Sequence, residues 1–169
     1  RDKAVLGDEI WVTGILGLAA AGYTESHPFD AALIALRQPH PPLHFALDAA
    51  KEGLLHAMMD VSDGLASDLP KLCLSSGVGA LLQPERFPSH AELDQLANVD
   101  ALRFAGGDDF QLLFTAPKCS HARLRQLATT HQIVLSDIGK VTEPPNVTIE
   151  NQVWPLAPWS HFTAERVCS

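Results

Sequence analysis

The sequence predicts a mixed α/β (α+β) domain in which helices cover a sheet. Three observations predict it. Short runs rich in β-formers alternate with longer runs of helical spacing along the whole chain. Glycine, proline and Asp/Ser clusters mark most of the changes between them. The 169 residues are 46% apolar and 19% charged, enough for one core that buries about 70% of the extended surface.

Each element follows from its residues. Residues 8–14 read as a strand, Asp-Glu-Ile-Trp-Val-Thr closed by Gly14. Gly14 and Gly17 allow a tight turn, and the small residues after them suit a closely packed helix. Residues 29–36 form a second short helix, with Asp30 near its positive end, and Pro39-His40-Pro41-Pro42 breaks it. Residues 43–52 form a third helix, stopped at Gly53. Residues 56–61 are a short buried strand, and Ser62-Asp63-Gly64 turns the chain into a helix over 65–76 with Pro70 inside it. Residues 78–82 read as a strand and 90–97 as a helix. Gly106-Gly107-Asp108-Asp109 is a turn that feeds a strand over 110–115. Residues 120–130 place Leu124 and Leu127 on one helical face. Residues 133–141 and 147–149 are late strands, and 154–162 is an irregular aromatic tail.

Charge and cysteine usage exclude whole classes. Twelve Lys and Arg stand against twenty Asp and Glu, a net charge of −8. A surface for nucleic acid needs clustered cations, so none is expected. No run approaches the roughly 20 apolar residues of a membrane span. Cys73, Cys119 and Cys168 are far apart and form no C-x-x-C pair, which argues against a disulfide framework or a zinc ribbon and for a reducing, cytoplasmic setting. The chain opens on Arg1 without a signal-like run, which suggests the start of a piece of a longer product.

Two segments carry candidate chemistry. Asp60-Val61-Ser62-Asp63-Gly64-Leu65 sets two carboxylates and a hydroxyl at the end of a strand, before a helix. Strand ends of that kind bind phosphates in α/β folds, and carboxylate oxygens suit Mg²⁺. The competing reading is that Ser62 or Asp63 caps the helix, which leaves Asp60 unexplained. Gly106-Gly107-Asp108-Asp109 is the second segment. Adjacent acids repel unless a cation or a donor stands by them, and a plain polar turn is the competing reading. If the two flanking strands are antiparallel neighbours, all four acids share one end of the sheet. The glycine-rich residues 12–17 lack the Walker A lysine and suit close helix-on-strand packing. His40 and His44 have prolines between them and cannot share a helical metal face. Asn146-Val147-Thr148 matches a glycosylation sequon, which carries no weight without a secretory signature. Trp154 and Trp159 belong either to a docked tail or to a stacking surface.

These residues resemble a family. Residues 6–22, Asp60-Val61-Ser62-Asp63-Gly64-Leu65-Ala66-Ser67-Asp68-Leu69, Gly106-Gly107-Asp108-Asp109-Phe110 and Trp159-Ser160-His161-Phe162 are similar, in order, to motifs of the thiamine-monophosphate kinases. Those enzymes belong to the superfamily of aminoimidazole ribonucleotide synthetase. The resemblance implies that residues 1–169 are a single C-terminal domain, a three-layer α/β/α unit, with a separate N-terminal domain elsewhere in the protein. It implies transfer of the ATP γ-phosphoryl group to thiamine monophosphate, with several Mg²⁺ ions and a homodimer at full length. By match to the motifs, Asp60 and Asp63 are Mg²⁺ ligands, Ser62 and Arg1 contact ATP, and Asp108 and Trp159 contact the substrate. No residue serves as a nucleophile. Asp108 is one methylene shorter than the glutamate of the family pattern, and residues 39–42 lack its arginine. Another ATP-dependent member of the superfamily, or a noncatalytic nucleotide–metal domain, fits the same residues.

Overall fold

The computed structural model describes residues 1–143 and 146–150. Its strands are β1 (Glu9–Thr13), β2 (Ala57–Val61), β3 (Gly79–Leu82), β4 (Gln111–Ala116), β5 (Leu135–Thr142) and β6 (Val147–Ile149). They make one sheet in the order β2-β4-β1-β5-β3-β6. All neighbours are antiparallel except β3 and β6, which are parallel. The helices are α1 (Leu18–Thr24), α2 (Asp30–Arg37), α3 (Leu43–Lys51), α4 (Leu65–Ser76), α5 (Val99–Ala105) and α6 (His121–Thr130). Among the described residues, no helix is long and apolar enough to cross a membrane.

The sheet is covered on both faces, as the expected three layers require. β1 is buried at every position, the mark of a strand with packing on both sides. Side chains alternate along a strand, so Ile10 and Val12 face one way and Trp11 the other. Ile10 and Val12 join Leu65, Leu69 and Leu72 of α4 in one apolar cluster. Trp11 and Phe114 join Phe45 of α3 and Leu124 and Leu127 of α6 in the second. The Trp11 and Phe114 rings lie parallel, with centroids 6.2 Å apart. Pro70 is carried within α4. The helix loses one backbone bond there, and the burial of Leu69, Leu72 and Cys73 holds it to the sheet.

A third cluster sits beyond the strand ends and shapes the site. Ala21 of α1, Ala32 of α2, Leu102 of α5 and Leu93, ahead of α5, pack together. Here the structure corrects the sequence reading. The helix expected over 90–97 is only a 3-10 turn at Leu93–Gln95, and the real helix, α5, follows it. Seven residues are too few for a clear period, and α5 is held by tertiary contacts instead. Leu102 is buried in the third cluster, and the Phe104 ring meets that of Phe87 at 5.1 Å. Arg103 is paired with Asp94 across the turn. Other expected bounds move by one or two residues. Phe110 is not in the strand, which begins at Gln111.

Candidate functional site

The two acid-bearing segments meet because β2 and β4 are antiparallel neighbours. Val61 pairs with Gln111 and Asp60 with Leu112, so the end of β2 lies beside the start of β4. The contact continues past the strands. The Asp108 amide donates to the Ser62 carbonyl at 2.9 Å, and the Phe110 amide donates to the Val61 carbonyl at 3.0 Å. Glycine makes this approach possible. A Cβ on Gly107 would stand 2.7 Å from the Ser62 carbonyl oxygen, and one on Gly64 would stand 2.8 Å from that of Gly106. Asp108 and Phe110 take positive φ, 65° and 50°, rare for a non-glycine residue and rarer still for a bulky one. The two backbone bonds to β2 hold that conformation in place.

The acids take different parts. Asp109 is 5% exposed and turns inward. Its oxygens accept from the amides of Gly17 at 2.7 Å and Ala19 at 3.1 Å, so it ties the loop to the first turn of α1. Burial pushes its pKa up to about 7, against the pull of those two amides and with a small push from Asp108. Backbone donors thus partly offset the conflict between the adjacent acids. Gly17 packs its backbone against Leu102 of α5, where a Cβ would stand 2.8 Å from the Leu102 carbonyl carbon. Within the glycine segment Gly17 packs closely against a helix, and Gly14 lies against the Gln111 side chain at the start of β4.

At the other segment neither Ser62 nor Asp63 caps α4; Gly64 occupies that position and makes no side-chain cap. The loop is held from within the helix. Asp68 is 1% exposed, and its Oδ2 accepts from the amides of both Ser62 and Asp63 at 3.0 Å. Its Oδ1 accepts from Lys71 Nζ at 2.9 Å, and the same ammonium donates to Asp63 Oδ2 at 2.7 Å. The bonds to Asp63 and then to Asp68 hold the lysine pKa above its ordinary value. Asp68 and Lys71 were absent from the sequence-based set of site residues. Asp68 left a signal there: it shares the helical face of Leu65, Leu69 and Leu72, where a carboxylate needs a buried polar task. Lys71 left none.

A cavity of about 410 Å³ opens between these segments and the helices α1 and α5. Ser62, Asp63 and Asp108 line it together with Ala19 and Leu102, and Tyr23, 74% exposed, stands among them. Three of the six expected site residues therefore share one cavity. Asp60 is exposed at the end of β2, outside the lining. Arg1 is elsewhere: its carbonyl accepts from Ser76 Oγ, at the opposite end of α4 from Asp63. Trp159 lies outside the described residues.

Carboxylate oxygens are the donors a hard divalent ion prefers. Asp60 is exposed near the end of β2, and Asp63 is paired with the Lys71 ammonium at 2.7 Å. Among the described residues, the trio that comes within reach of one ion is a different one, Glu9, His121 and Asp137. That trio is already paired: His121 meets Glu9, and Asp137 accepts from Arg86 and Arg125.

The family described as AIR synthase related protein, C-terminal domain, matches residues 6–151. The chain belongs to this family. It is 33% identical over 176 residues to the thiamine-monophosphate kinase of Aquifex aeolicus (strain VF5), across 96% of this chain and 54% of that protein. The crystal structure of thiamine-monophosphate kinase from Stenotrophomonas maltophilia K279a superposes with a TM-score of 0.82 at 29% identity, covering 90% of this chain and 53% of that one. The structure of AaThiL complexed with AMPPCP and TMP gives 0.77 at 30% identity, covering 96% and 53%. This chain thus spans about half the length of the curated relatives it matches. The sheet flanked by helices is the fold of this C-terminal domain, as the resemblance implied.

Proposed function

We propose that the protein containing this chain transfers the γ-phosphoryl group of ATP to thiamine monophosphate, and that this chain is its C-terminal domain. The observation that carries the proposal is that Ser62, Asp63 and Asp108 line one cavity, Ser62 and Asp108 being 46 residues apart in the chain and joined by a backbone bond. The likeness to thiamine-monophosphate kinases along nearly the whole chain supports the choice of substrates. An acceptor phosphate oxygen attacks the γ-phosphorus, the bond to the β-phosphate oxygen breaks, and ADP leaves with thiamine diphosphate formed. Such a reaction needs positioning and charge neutralisation more than covalent help, so no nucleophilic side chain is called for.

Asp60 and Asp63 would hold Mg²⁺, which supplies the neutralising charge between two anionic substrates. The chain's own groups do the positioning. The Ser62 hydroxyl would donate to a nucleotide phosphate, and the Asp108 carboxylate would accept from an amino group or meet the thiazolium charge; both line the cavity. Arg1, with an exposed side chain, and Trp159 are assigned by motif alone, to ATP and to the thiamine rings. A partner N-terminal domain completes the metal site, the full-length protein is a cytoplasmic homodimer, and transfer is direct. The test is formation of thiamine diphosphate from ATP, Mg²⁺ and thiamine monophosphate by the whole protein. A kinase of this kind gives steady product that requires all three; phosphorylation of a different acceptor, or none, would refute the assignment.

A further inference from the structure

Lys71 is placed unlike an ordinary surface lysine. Its ammonium sits between a buried carboxylate and a partly exposed one. Asp68 is buried, and one of its oxygens is committed to the amides of the Ser62-Asp63 turn while the other receives Lys71. Asp63 is 45% exposed, lines the cavity and receives Lys71 from the other side. We infer that Lys71 is a positioning residue that stands in for a divalent cation on Asp63, keeping that carboxylate aimed and releasing it when the metal arrives. The inference rests on the reading of Asp63 as a metal ligand.

The physics favours exchange. A partly exposed ammonium–carboxylate pair contributes little, because water screens it and the side chains lose freedom. A doubly charged ion attracts the same carboxylate more strongly. Lys71 does not drift away when displaced, since Asp68 still holds it. Lys71 pairs with both carboxylates and so offsets the repulsion between the two neighbouring acids.

The test is a Mn²⁺ titration followed by electron paramagnetic resonance, with thermal melts at zero and saturating Mg²⁺, on the whole protein. Lys71→Met removes the competitor, so Mn²⁺ affinity should rise about threefold to fivefold, the equivalent of one exposed ion pair. Its melting point should fall in the absence of a divalent ion and recover when Mg²⁺ is added. Lys71→Gln should behave alike, and Lys71→Arg should keep native affinity. Asp63→Asn alone should weaken Mn²⁺ binding, and in that background Lys71→Met should change nothing. Unchanged or weaker binding in both neutral variants, or a melting loss that Mg²⁺ does not repair, overturns the inference while leaving Asp63 a ligand. A rise that survives in the Asp63→Asn background also overturns it, because it reports long-range charge and not the contact. Native affinity in Asp63→Asn itself overturns the metal reading, and the role of Lys71 with it.

Discussion

Asp63, ahead of α4, is nearly half exposed and looks into a cavity, while Asp109, ahead of β4, is buried and spends its oxygens on the amides of Gly17 and Ala19. Both belong to paired-acid segments at the same end of the sheet. The difference is what surrounds each carboxylate. Asp63 is partly exposed and paired with a surface lysine, the setting in which the proposed exchange of cations can occur. Asp109 has backbone donors fixed by α1 and α5, so it fastens the cavity wall beside Asp108. Two similar acid pairs thus divide the work: one segment handles charge and the other holds shape.

The largest effect should come from the exposed segment. Asp60→Asn in the whole protein should lower kcat for thiamine diphosphate formation by about 100-fold or more, with a melting point near native, since only a charge on the surface is lost. A steady-state assay with parallel melts checks this. Asp109→Ala should act on the fold instead. It leaves two buried helix amides without an acceptor, a loss of about 3 kcal/mol in denaturant titrations.

The same residue makes the comparison sensitive to pH. Unfolded, Asp109 ionises near 3.8; folded, it does so at about 7. Between those values the unfolded chain has given up a proton that the folded chain keeps. Stability should therefore fall as pH rises through this window, by up to about 1.4 kcal/mol per unit from this group, and level off above it. Asp109→Asn should flatten that part of the profile in melts from pH 4 to 8. The smallest effect belongs to the contact between the segments. Gly107→Ala places a Cβ against the Ser62 carbonyl and should cost about 1 kcal/mol, read by the same titration, with a higher KM for thiamine monophosphate as Asp108 shifts.

Much of this was legible in the sequence, for physical reasons. The apolar runs at β1, β2 and β4 are strongly patterned, and the antiparallel pairing of β2 with β4 was the stated condition for gathering the acids. The meeting of the two segments followed from that geometry, while Ser62 and Asp108 were singled out by the motif match. The rest depended on contacts distant in the chain. The inward turn of Asp109 depends on amides some 90 residues away. α5 is too short to show a period and exists because Leu102 and Phe104 find partners. Asp68 was detectable as an acid on an apolar face, whereas Lys71 looks like any solvated lysine until the loop brings Asp63 to it.

The division of labour is tested most directly by Mn²⁺ affinity, measured side by side in Asp60→Asn and Asp109→Asn of the whole protein. The account predicts that Asp60→Asn weakens binding about tenfold or more, and that Asp109→Asn binds like the native protein once folded. Native affinity in Asp60→Asn together with weakened binding in Asp109→Asn would contradict it, and would make the buried acid the ligand and the exposed one the bystander.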